Sequence, residues 1–255
     1  MRTQINRREF VQTAALASSA VLGSQILNLF QGGLAHAASK TKTLLEIQRF
    51  PRKYEIKPLP FKPENLKGFS SKLILSHHEN NYGAAVKNLM KAEAEIAKLS
   101  PDALPFQWTG LKNSEHAFRN SMILHEQYFE NLGGNGKVQG KVEKMISAAW
   151  GSISRFEMEF KISGVGVGGG TGWIILAWDL QTSQPIISSI GHNNQFSALS
   201  VPLLLMDVYE HAYVIDFGTG LKNYIEVFFT NINWEIVNKR LEWAEVASEN
   251  LKEFV

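Results

Sequence analysis

The segment "NLGGNGK", residues 131 to 137, separates two patterns that no single layer of secondary structure accommodates. Upstream, in "SSKLILSHHENNYGAAVKNLMKAEAEIAKL", residues Leu73, His77, Val86, Leu89, Ile96 and Leu99 recur near the helical period, with Ser70 or Ser71 as the capping residue. "PDALPFQWTG" interrupts the pattern. It resumes in "NSEHAFRNSMILHEQYFENL", where Phe118, Met122, His125 and Phe129 form one stripe, and the glycines of "GGNGK" end it. Downstream, "KVEKMISAAWGSISRFEMEF" reads as a third helix, while "GWIILAWDL", "QPIISSIG" and "SVPLLLMD" are short apolar or alternating runs of strand type. The tail from Asn223 returns to helical spacing. This order predicts an α+β protein: a helical hairpin over residues 38–133, then an α/β domain over 134–255.

The first 37 residues read as a separate unit. An Arg7-Arg8 pair and Phe10 precede an uncharged stretch from Val11 to Phe30, and Ala35-His36-Ala37 has the small-x-small form of a processing site. The segment resembles a twin-arginine export signal; its Gln, Ser, Thr and Gly make it too weakly apolar for an anchor. Such a signal implies the export machinery as a partner, a periplasmic destination and no membrane attachment after cleavage. The chain carries a formal charge of +2, and residues 1–37 hold three arginines and one glutamate, so the mature protein is close to neutral. That balance offers no argument for a nucleic-acid partner.

The 255 residues contain no cysteine, which excludes disulfides, iron–sulfur clusters and thiolate zinc sites. A metal would have to be held by nitrogen and oxygen. "GVGVGGGTGW" contains G-x-G-x-x-G at Gly164, Gly166 and Gly169, but a helix precedes it and a strand comes after, the reverse of a dinucleotide site, so it reads as a loop. In "SVPLLLMDVYEHAY" the apolar run carries Asp207 to the end of a buried strand. A charge there is costly unless paired or metal-bound. One helical turn would return His211 beside it. His77 and His125 lie on the apolar stripes of the two hairpin helices, where each could equally be a hydrogen-bonded core histidine. Together the four supply three nitrogens and one oxygen, a set suited to redox-active iron or manganese as well as zinc.

At these residues the chain resembles the iron/manganese superoxide dismutases. "YEIKPLPF", "SHHENNYGAAVKNLMK", "NSMILHEQYFENLGG", "GTGWIILAWD" and "DVYEHAYVIDF" with "NINW" downstream are similar, in order, to that family's opening, its two ligand helices, its Gly-x-Gly-Trp strand and its closing signature. The resemblance implies a small three-stranded antiparallel sheet. It implies one Fe or Mn ion per chain, iron slightly favoured, on His77, His125, Asp207 and His211. It implies conversion of superoxide to oxygen and hydrogen peroxide. It also implies a homodimer, or a tetramer of two such pairs, in which Glu210 reaches the other subunit's ligand histidine, and a substrate pocket walled by Trp173 and Phe129.

The departures cluster where that family moves protons. Ala85 and Val214 stand where it carries tyrosines, Asn81 and Tyr82 where it carries a histidine pair, and Ser121 replaces an iron-type glutamine. These departures raise two expectations. Tyr82, three residues before Ala85, leans over the vacancy and serves the relay. The donor to solvent at the metal comes from "SIGHNNQF", with His192 first, Gln195 the rival, and Gly191 or His192 at the family's glutamine position. The alternative is a non-catalytic dimeric metal-binding protein on the same scaffold. A zinc hydrolase lacks support because no H-E-x-x-H motif is present.

Overall fold

A computed structural model describes residues 52–167 and 170–253. Residues 1–37, expected to be an export signal, lie outside them, as does Gly169 of the glycine stretch. The chain leads in along an extended segment to a short 3-10 turn at Pro63–Asn65. Helix α1 (Ser71–Ser76) starts where Ser70 Oγ accepts the Leu73 N–H at 3.0 Å, resolving the choice between two serines. A π-helical segment, His77–Tyr82, then joins α1 in line to α2 (Gly83–Lys98). Its closing bond runs from the Gly83 N–H to the His78 carbonyl, five residues back. The wider turn rotates the downstream residues relative to a continuous α-helix, and such insertions concentrate at functional sites.

Helix α3 (Pro105–Glu130) begins eight residues earlier than the sequence pattern suggests. "PDALPF" breaks α2, but Pro105 occupies the first turn of the next helix, where its missing N–H costs nothing. The third helix is two: α4 (Lys141–Trp150) and α5 (Ile153–Val167), divided at Gly151, whose φ of 78° is left-handed. The first part of the glycine stretch is helical and not a loop. Gly164 lies within α5 because a Cβ there would approach Met206 Cε to 2.7 Å, so its absence lets the helix sit close on the sheet.

The sheet comprises β1 (Trp173–Asp179), β2 (Gln184–Ile190) and β3 (Ser200–Asp207), antiparallel, in the order β2-β1-β3. Central β1 is buried on both faces, as its uninterrupted apolar run requires. Its register sets Trp173 opposite Asp207, delivering the indole and the carboxylate to one end of the sheet. The outer edge of β3 is covered by Asn131, just past the end of α3: its Oδ1 accepts the Leu205 N–H at 2.9 Å and its Nδ2 donates to the Leu205 carbonyl at 3.3 Å. After β3 come a 3-10 turn (Glu210–Ala212), α6 (Val214–Phe217), α7 (Leu221–Thr230) and α8 (Trp234–Lys252). No helix among the described residues is long and apolar enough to cross a membrane.

Candidate metal centre

Four elements converge on one point. The π segment supplies His77, α3 supplies His125, β3 ends in Asp207, and the 3-10 turn returns His211, so one ligand atom of each lies within 4.8 Å of the others. Asp207 Oδ2 is the common focus, with His77 Nε2 at 3.1 Å, His211 Nε2 at 3.2 Å and His125 Nε2 at 3.5 Å. The other carboxylate oxygen accepts the Tyr209 N–H at 2.8 Å, which sets the carboxylate's rotation. His125 Nδ1 donates to the Ser121 carbonyl at 2.7 Å. That bond places the proton on Nδ1 and leaves a bare lone pair on Nε2, a buried atom with no hydrogen-bond partner. An unpartnered imidazole lone pair aimed at a buried carboxylate is what a cation site presents, and the residues fit a metal ion.

Electrostatics agree with the geometry. Burial pushes the His125 imidazole down to about 3, with the nearby His77 adding to the effect, and burial likewise lowers His77 against the pull of Asp207. Burial would raise the Asp207 carboxyl, but His211 and His77, through charge and hydrogen bonds, hold it well below the usual carboxylate range. The centre therefore sets a carboxylate anion beside the two neutral imidazoles of His77 and His125. Aromatic rings fix the imidazoles: Trp173 meets His125 edge-on at 5.1 Å, Phe129 meets His77 at 5.0 Å, and Tyr209 stacks on His211 at 5.2 Å. Trp173 and Phe129 thus stand behind the histidines, both buried, while Tyr209 lines the approach.

That approach is a cavity of about 520 Å³ reaching His125 and His211, lined by Ala85, Ser121, His192, Tyr209 and six asparagines. His192 is exposed at its rim. Gln195 does not line it; its Oε1 accepts the Gly191 N–H at 2.9 Å and closes the loop on itself. The structure does not bring Tyr82 to this cavity either. The π turn carries its ring against Phe129 and His78, where the hydroxyl donates to Glu126 at 2.9 Å and accepts the Lys57 N–H at 2.9 Å, lining a separate cavity of about 90 Å³. Burial pushes its phenol up to about 12. Ser121 is too short to reach past the ligand beside it: its Oγ lies 3.3 Å from His125 Nδ1. His78 is no ligand; Nε2 donates to the Lys57 carbonyl at 2.8 Å. Glu210 is exposed, and its carboxylate has no partner among the described residues; it lies against Gly170, where a Cβ would come within 2.7 Å of it.

Sequence reasoning passed over Asn193. Its Oδ1 accepts the Trp173 indole N–H at 2.8 Å, and its carbonyl accepts Asn120 Nδ2 at 2.8 Å. The signal was the "HNNQ" run itself, but spacing alone does not say which of four consecutive polar residues turns inward.

Fold and site together define a mononuclear metal protein with a three-histidine, one-aspartate centre set between a helical hairpin and a three-stranded sheet. Residues 138–240 match the family model described as iron/manganese superoxide dismutases, C-terminal domain. The superoxide dismutase [Fe] of Cupriavidus metallidurans is 40% identical over 183 residues, which is 71% of this chain and 93% of that protein. That of Aquifex aeolicus is 30% identical over 76% of this chain and 94% of its own length, and the superoxide dismutase [Mn/Fe] of Aeropyrum pernix is 28% identical over 76% and 92%. The chain belongs to the iron/manganese superoxide dismutase family.

Proposed function

We propose that the protein is a superoxide dismutase, acting in the periplasm as a homodimer with one iron or manganese ion per chain on His77, His125, Asp207 and His211. The observation that carries this reading is the convergence of three imidazole Nε2 atoms on one carboxylate oxygen, with the His125 lone pair left bare. An ion held there supplies a one-electron couple, through which one superoxide is oxidised to oxygen and a second is reduced, with two protons, to hydrogen peroxide.

The chain's own groups make that couple usable. Ser121 fixes the His125 tautomer, so this ligand offers Nε2 without a proton to remove. Tyr209 N–H holds Asp207 with Oδ2 inward. The buried rings of Trp173 and Phe129 keep bulk water from the back of the centre, so the cavity is the approach. Its asparagines line the approach with neutral polar groups and place no fixed charge in the path of an anion.

Iron as the first choice is supported by the Fe designations of the Cupriavidus and Aquifex proteins. The dimer is supported by the unpartnered Glu210 carboxylate and by Val214 and Ile215, 45% and 40% exposed beside it. Export is supported by Arg7, Arg8 and the Ala35-His36-Ala37 site. Metal analysis and superoxide removal, measured on the same purified preparation, test the function. One Fe or Mn per chain with turnover above that of the free ion is expected; full occupancy without turnover would leave a metal-binding protein on a dismutase scaffold.

A further inference from the structure

Among the described residues two carboxylates are fully buried, Asp207 at the metal centre and Glu93 in α2. The proposed reaction makes no use of the second. Both oxygens of Glu93 are engaged. Oε1 accepts the Tyr54 hydroxyl at 2.8 Å and Arg119 Nη2, from α3, at 2.7 Å, while Oε2 accepts the Arg52 N–H at 3.0 Å. Arg52 Nη1 lies 3.8 Å from Oε1, and the Arg119 guanidinium stands 5.9 Å from the centre of the Tyr54 ring. The compensation of this charge is therefore divided: a cation comes from α3, and a backbone N–H and a phenol come from the extended lead-in. A buried carboxylate deprived of some of its donors still bears the cost of burial, so seating of residues 52–54 and pairing of α2 with α3 stabilise each other. Farther along, the lead-in is held by other groups. Lys57 N–H donates to the Tyr82 hydroxyl, and Asn231 grips Lys67 through both its N–H and its carbonyl, each at 2.8 Å.

We propose that Glu93 is the socket of a latch: it fastens Arg52–Tyr54 across the hairpin and sets the protease-resistant edge of the folded body at Arg52. The latch is local, because Lys57 and Lys67 have fasteners of their own that do not involve Glu93. Its position matters for the N-terminal segment. Fourteen residues, 38–51, separate it from the expected processing site at Ala37, a reach of at most about 50 Å, so a peptidase takes the leader without disturbing the latch. That consequence rests on the proposed export; the latch itself does not.

Limited tryptic cleavage of the full chain, with fragments identified by mass spectrometry, tests the latch. The bonds after Arg52 and Lys53 lie within it, whereas the bond after Lys67 lies in the same lead-in under the grip of Asn231 and reports any general loosening. In Glu93→Ala, cleavage after Arg52 and Lys53 should be about tenfold faster than in the parent or more, with cleavage after Lys67 within about twofold. Tyr54→Phe keeps the ring and removes one donor, and should accelerate the same two cuts by about threefold or more, again leaving Lys67 unchanged. It decides the matter in the same way if Glu93→Ala does not fold, since it leaves Glu93 paired with Arg119. Cleavage after Arg52 and Lys53 at the parent's rate in a folded variant overturns the proposal. Acceleration at Lys67 by the same factor also overturns it, because Glu93 would then support the body as a whole. The readout needs neither a bound metal nor export, so its outcome is independent of the dismutase and periplasmic readings.

Discussion

Replacing Asn131 by alanine tests how the sheet edge that carries Asp207 is held. β3 is an edge strand, and Leu205 turns its N–H and C=O away from β1. Asn131 satisfies both, at 2.9 and 3.3 Å, and also donates to the Tyr128 carbonyl at 3.0 Å, with the residue fully buried. Water cannot take over these bonds. Each stranded backbone group costs about 1–3 kcal/mol, so Asn131→Ala should lose about 2–5 kcal/mol. For a folded body near 200 residues each kcal/mol is worth about 2–4 °C, which places the shift in Tm near 10 °C. Urea unfolding of metal-loaded parent and variant at one protein concentration measures it, with an unchanged m value as the control that only stability moved. Asn131→Leu restores volume but not the bonds, and should remain close to the alanine variant. Because Leu205 stands two residues before Asp207, both variants should also release metal faster to a chelator. A loss below about 1 kcal/mol in Asn131→Ala, or recovery of the parent's stability in Asn131→Leu, would refute the hydrogen-bond account and leave packing as the cause.

Alanine at His77, His125, Asp207 or His211 should abolish stoichiometric metal binding, since three ligands poorly compensate a buried ion; full occupancy measured by elemental analysis would remove that residue from the set. The metal-free protein should lose stability as pH falls from about 6.5 toward about 3, because burial keeps His125 and His77 neutral in the folded chain while the unfolded chain takes up their protons. Asp207, whose affinity for a proton is also depressed by folding, adds to the loss only below the ordinary carboxylate range, and a flat stability between pH 7 and 5 would contradict this order. Tyr82→Phe should leave the pH profile of turnover and the metal content unchanged while costing about 1–2 kcal/mol in unfolding, the worth of its bonds to Glu126 and Lys57; a slowed turnover at high pH would return the phenol to the proton path.

The sequence by itself determined the layers and the ligands. Apolar spacing is set by the geometry of each element alone, so the hairpin helices, the three strands and the change of pattern near "GGNGK" were legible without knowing what packs on what. His77, His125 and Asp207 were visible as polar groups on an apolar stripe or run and His211 as the residue one turn past Asp207, but it was the family resemblance that joined the four into one ligand set. Tertiary structure decided what depends on rotation and reach. The π turn, one added residue in a helix of ordinary composition, swings Tyr82 away from the cavity toward Glu126 and Lys57. The close approach of α5 to Met206 makes a helix of glycines that read as a loop. And in "HNNQ" the chain writes four polar residues alike; only the fixed indole N–H of Trp173, delivered by the β1 register opposite Asp207, selects Asn193 as the one whose amide turns in.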